Sequence, residues 1–272
     1  TCSPVALAAE RGQRTSETIG DATTVVARYR RWLGMTFHDE GYGHRGTPDC
    51  QLVMTTHRLY VEEGLKVSPE EGLQRLEKDV QAWRTVFTQA RSLPIKILAT
   101  QTVSDDMEHL SSLLQSPALT AAQQDRIAHL VQPLDRVDRS LRWPIQGELA
   151  GEIKRIESLL KWTELAAPTI VQQVLLRLPL PSQRVLNGNA DYADALIKAG
   201  EGLPEGLPAA ASFVHAPASS LVDYVLNPVD NLLHTRATVN WNTALAQVLE
   251  TDARIRLVAL QAKLHGLTRT QD

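Results

Sequence analysis

The sequence predicts an all-α protein, an irregular multi-helix bundle with a long Pro/Gly-rich connection in its C-terminal third. Two apolar stripes and one absence carry that prediction. Leu73, Leu76, Val80, Trp83, Phe87 and Ala90 recur every three or four residues, which places them on one face of a 3.6-residue helix. Past Pro94 the pattern resumes with Ile95, Leu98, Thr102, Met107, Leu110 and Leu114, and Leu245, Leu249, Ala253, Leu257, Leu260 and Leu264 form a second stripe near the C-terminus. No set of short alternating strands flanked by hairpin turns occurs. Val174 to Leu180 is the best strand candidate, and it stands alone. No repeat with a period of about thirty to fifty residues argues for a solenoid.

The elements follow in order. Residues 1–20 mix Ser, Thr, Gly and Gln with small apolar positions and read as a weakly ordered arm. Asp21 suits the N-cap of a helix ending near Leu33 and Gly34, and Gly34 to Pro48 reads as a loop. Cys50 to Leu65 forms a second helix. Ser68-Pro69-Glu70-Glu71 starts a third, because Ser caps free backbone N–H groups, Pro fits the first turn and the glutamates face the positive end of the dipole. Pro94 divides the long run, with Ser92 capping the helix that follows. Shorter helices are expected from Thr120 to Gln132, from Pro144 to Leu165, after Pro168, and around Tyr192 to Lys198. Asn187 to Pro228 is punctuated by Gly200, Gly202, Pro204, Gly206, Pro208 and Pro217 and reads as a strap over the surface. Trp241 to Leu267 is the last helix, with Asp252 and Arg256 spaced for an exposed ion pair. The chain thus divides into the arm, a helical bundle over 21–165, and a helical lobe over 166–272 packed back through the C-terminal helix or continuous with the bundle.

Composition bounds the function. In 272 residues, 28 basic and 31 acidic side chains give a formal net charge of -3, which lacks the basic surplus that neutralises phosphates and so excludes nucleic acid as the main partner. The chain begins at Thr1 without Met, which is read as loss of a signal sequence or membrane anchor upstream. Cys2 and Cys50 are too few for a disulfide framework, but one bridge between them suits an oxidising compartment such as the periplasm.

The densest polar chemistry in the sequence is His38-Asp39-Glu40-Gly41-Tyr42-Gly43-His44-Arg45. His38, Glu40 and His44 are metal-ligand types and His38 and Asp39 are acid/base types, yet their spacing matches no metal motif and Arg45 opposes a cation. His109, among Asp105, Asp106 and Glu108, has the neighbours of an oriented general base. No Gly-x-Ser-x-Gly turn, His-Glu-x-x-His helix, phosphate-binding Gly-x-x-x-x-Gly-Lys-Ser/Thr loop or Cys-x-x-Cys pair occurs. Together with apolar stripes that show no inward-pointing catalytic group, these absences favour a non-catalytic interaction protein without a cofactor. The sequence reading is therefore an extracytoplasmic, membrane-tethered protein with a protein partner, either an assembly factor of a bacterial envelope complex or an immunity-type inhibitor of a secreted toxin. Its alternatives are a hydrolase or lipid-acting enzyme whose site is assembled from distant residues, and a carrier of a hydrophobic ligand held between helices.

Overall fold

The computed structural model describes residues 22–41, 49–165, 183–202 and 228–269, and every regular element there is a helix. In chain order these are α1 (Ala22–Trp32), α2 (Cys50–Val67), α3 (Pro69–Gln89), α4 (Leu93–Leu114), α5 (Ala121–Leu130), α6 (Arg136–Arg139), α7 (Arg142–Leu165), α8 (Gln183–Glu201) and α9 (Pro228–Arg269). No strand occurs among the described residues, and the Val174 to Leu180 candidate and the arm over 1–20 lie outside them. No helix among the described residues is long and apolar enough to cross a membrane.

Local chemistry explains most helix starts. The Asp49 side chain accepts from the Gln51 and Leu52 amides to open α2, and the Ser68 hydroxyl accepts from Glu71 N with Pro69 in the first turn of α3. Thr120 and Gln123 form a reciprocal capping box on α5. The expected Ser92 cap of α4 is not made. Instead, Oδ2 of Asp39 accepts from the Arg91 and Ser92 amides at 2.8 and 3.0 Å, and the Ser92 hydroxyl donates to the same oxygen at 3.1 Å. A carboxylate from the distant α1–α2 loop thus anchors the turn that leads into α4, and the Ser92 hydroxyl bonds to it rather than to the first turn of the helix.

Two glycines set the spacing of α2 and α3. A Cβ at Gly64 would lie 2.5 Å from Cδ of Arg75, and one at Gly72 would lie 2.5 Å from Cδ2 of Leu65. The close approach lets side chains of both helices meet inside the bundle. Helix α4 then packs against α3 on one side and α9 on another. Every residue from Lys96 to Met107 is buried, so this helix hides its polar faces as well as its apolar one. Thr100 and Thr102 meet that demand locally by donating to the carbonyls of Lys96 and Leu98 at 2.7 and 2.9 Å.

The C-terminal half departs from expectation in three ways. Helix α8 runs from Gln183 to Glu201, longer than the turns expected at Tyr192 to Lys198, and takes up the first part of the expected strap; residues 203–227 lie outside the described ones. Helix α9 begins at Pro228 rather than at Trp241. Its buried face includes Trp241, Ala244, Leu245, Val248, Thr251, Asp252, Ile255, Val258 and Ala262, whereas Leu257, Leu260 and Leu264 are more than half exposed. The expected stripe stepped by four from Leu245 to Leu257, and each such step overshoots a 3.6-residue turn by about 40°. Three steps carry the stripe off the core. Asp252 is correspondingly buried, accepting from Leu134 N at 3.0 Å and from Arg256 Nε at 2.9 Å, so it tethers α9 to the α5–α6 connection.

Candidate active site

Four helices each send a polar side chain into one buried cluster. Tyr29 comes from α1, His57 from α2, Asp79 and Trp83 from α3, and Asp106 from α4. Trp83 Nε1 donates to the Tyr29 hydroxyl at 2.6 Å, and that hydroxyl donates to Oδ1 of Asp79 at 2.7 Å. Oδ2 of Asp79 lies 2.9 Å from Nδ1 of His57, which places the imidazole proton on Nδ1 and leaves Nε2 as a bare lone pair. Nε2 faces Asp106, 3.8 Å from its Oδ1 and beyond hydrogen-bond reach. The side chains of His57, Asp79 and Asp106 are all 0% exposed. Nε2 of His57 makes no hydrogen bond among the described residues, and neither oxygen of Asp106 makes one of good geometry, although the Asp106 carboxyl when protonated is placed to bond to Asp79.

Such atoms are costly in a protein interior, where a buried polar group without a partner loses its hydration and gains nothing in return. Burial, and then the charge of Asp79, pushes the Asp106 carboxyl well above the usual carboxylate range. The same two causes raise the Tyr29 hydroxyl far above its ordinary value, so it remains a proton donor to Asp79. One ligand-type atom from each of His57, Asp79 and Asp106 lies within 4.8 Å of the others, an arrangement suited to a metal ion. Arg58 and Asp105, next in sequence to His57 and Asp106, pair at 2.8 Å across the same α2–α4 seam.

The residues singled out from the sequence are placed differently. Asp39 serves as the cap described above; burial alone would raise its carboxyl, but the amides of Gly41, Arg91 and Ser92 and the Ser92 hydroxyl outweigh it and hold the pKa below the usual range. His38 and Glu40 are exposed, and His44 lies outside the described residues. The metal-type cluster among the described residues contains none of these four. His109 sits one turn beyond Asp106 on α4, where burial and then the neighbouring His57 lower its pKa, so it borders the site. Cys50 is buried and disulfide-bonded, while Cys2, its expected partner, lies outside the described residues.

The cluster overturns the non-catalytic reading and the expectation that the protein is not an enzyme. Both rested on absent catalytic motifs and on stripes without inward-pointing chemistry, yet Asp79 and Asp106 point inward from those very stripes. The signal was present in the sequence: Asp79 stands three residues after Leu76 and four before Trp83, and Asp106 stands four after Thr102 and four before Leu110. A carboxylate at a stripe position is either buried or breaks the stripe. His57 is flanked in the same way by Met54, Tyr60 and Val61. No protein-family model, curated protein or solved structure matches the chain.

Proposed function

We propose that this protein is a hydrolase whose centre is a divalent metal ion held in the His57–Asp79–Asp106 cluster, a site assembled from residues distant in the sequence. One observation carries the reading: a buried imidazole nitrogen and a buried carboxylate face each other without well-formed hydrogen bonds. Buried polar atoms without a well-formed hydrogen bond point to a bound ion, a water or a catalytic role, and imidazole and carboxylate are metal ligands. A bound divalent ion would lower the pKa of a coordinated water toward neutrality. With an ion held by His57 and Asp106, the metal would supply the activated water for attack on an acyl or phosphoryl centre, and the Asp79 carboxylate would keep the His57 ring oriented through Nδ1. Because His57, Asp79 and Asp106 are all 0% exposed, a substrate reaches the centre only through a local opening of the bundle.

The test is turnover of p-nitrophenyl acetate and p-nitrophenyl phosphate by the protein equilibrated with Zn2+, Mn2+ or Mg2+. Turnover of either ester that is abolished by chelation and by Asp106→Asn supports the reading. Turnover unaffected by both, or none with any of the three ions, overturns it.

A further inference from the structure

Resting on that metal-centre reading, we propose that the ion is a first-row transition dication, with Zn2+ as its type, bound by His57 Nε2 and the Asp106 carboxylate, and that Asp79 is a positioning residue rather than a ligand. The three side chains differ in what they have left to give. Both oxygens of Asp79 are engaged, Oδ1 by the Tyr29 hydroxyl at 2.7 Å and Oδ2 by His57 Nδ1 at 2.9 Å. Drawing either oxygen to a metal would strip a buried donor of its acceptor. Asp106 is the reverse case, since neither of its oxygens makes a hydrogen bond of good geometry and its contact with Asp79 requires a proton that a metal ion would replace. His57 divides between the two, with Nδ1 turned to Asp79 and Nε2 turned to Asp106.

This is the carboxylate–histidine–metal arrangement, in which the outer carboxylate fixes the tautomer and strengthens the inner nitrogen as a ligand. The gap is close to what one ion needs: two bonds of about 2.0–2.2 Å at a tetrahedral angle set their donor atoms about 3.3–3.6 Å apart, so the 3.8 Å between Nε2 and Oδ1 closes by a few tenths of an ångström on binding. Charge fits as well, because a dication balances the two carboxylates beside a neutral imidazole. The donor set selects the ion: Ca2+ takes six to eight oxygens, several times the two that Asp106 provides, and Mg2+ prefers oxygen and retains its waters. An imidazole nitrogen in a dry core suits the transition series.

Competition titration of the full chain with Zn2+ and Mg2+, in wild type, Asp79→Asn and Asp106→Asn, tests this directly. The expected result is one Zn2+ per chain, bound about 100-fold or more tightly than Mg2+. Asp106→Asn should lose the ion, whereas Asp79→Asn should keep the stoichiometry with affinity reduced about 10–100-fold. Long-range 1H–15N NMR of the wild type gives a readout independent of variant folding: on addition of Zn2+, Nδ1 of His57 should keep its proton and Nε2 should shift. Metal at Nδ1, equal loss in the two variants, or a preference for Mg2+ overturns the inference while leaving a metal centre standing. A wild type that binds neither ion overturns the hydrolase reading with it.

Discussion

Lys96 and Asp106 are buried charged residues on the same helix, yet they sit in opposite environments. The Lys96 amine donates to the carbonyls of Phe87 and Asp138, both at 2.6 Å, and lies 3.9 Å from the centre of the Phe87 ring. Three contacts match the three protons of an ammonium. Asp106 is as deeply buried and its oxygens make no hydrogen bond of good geometry among the described residues. Burial alone therefore does not mark a functional group in this bundle. The pairing does: Lys96 is a structural clamp joining α3, α4 and α6, whereas Asp106 is held ready for something the chain does not supply.

The largest expected effect tests the closed half of that contrast. At pH 9, Lys96→Met should destabilise the protein by about 3 kcal/mol, because two buried carbonyls lose their donor. Burial, opposed by the nearby Asp138 charge, lowers the Lys96 pKa to about 7, against about 10.4 in an unfolded chain. Between those values the unfolded state binds the proton and the folded state does not, so the lysine's contribution to stability rises with pH across that window, at up to about 1.4 kcal/mol per unit. Denaturant titrations from pH 6 to 10 should show the gap between wild type and Lys96→Met widening as the pH rises. A constant gap would mean that Lys96 does not change protonation on folding.

A smaller effect is expected where the two environments meet. Tyr29→Phe removes a donor to Asp79 and the acceptor of Trp83 Nε1, and should cost about 1–2 kcal/mol in urea unfolding. It leaves His57 Nδ1 bonded to Asp79, so Zn2+ should still bind, several-fold more weakly. Complete loss of the ion would show that Tyr29 does more than hold Asp79.

The smallest effect has the opposite sign. Asp106→Asn, measured without metal, should raise stability by about 1 kcal/mol, because a neutral amide is cheaper to bury than a carboxyl facing Asp79. A loss of 3 kcal/mol or more would mean that Asp106 is a paired structural residue like Lys96, and the contrast would collapse.

Much of the architecture was legible because helices are specified locally. Ser68-Pro69 and Thr120 mark their own helix starts, and Leu73 to Phe87 declares its buried face through spacing alone. The reading failed where geometry accumulates over many turns, as in the stripe that drifts off the core between Leu245 and Leu257. It also failed where a partner arrives from afar, as when Asp39 draws the Ser92 hydroxyl away from the first turn of α4. The candidate site was missed for a related reason. His38, Asp39, Glu40 and His44 are close in sequence, but closeness along a loop does not by itself bring side chains to one point.

By itself, the sequence determined that the chain is helical, where most helices begin and which faces of α3 and α4 are apolar, since these depend on contacts within a few residues. Only the tertiary structure decided that Tyr29, His57, Asp79 and Asp106 share one interior. His57 and Asp79 are 22 residues apart and Tyr29 and Asp79 are 50 apart. No periodicity within a helix encodes such distances. They close only when Gly64 and Gly72 let α2 meet α3 and when α4 is enclosed on all sides, so that a carboxylate in the sequence becomes a buried ligand in the fold.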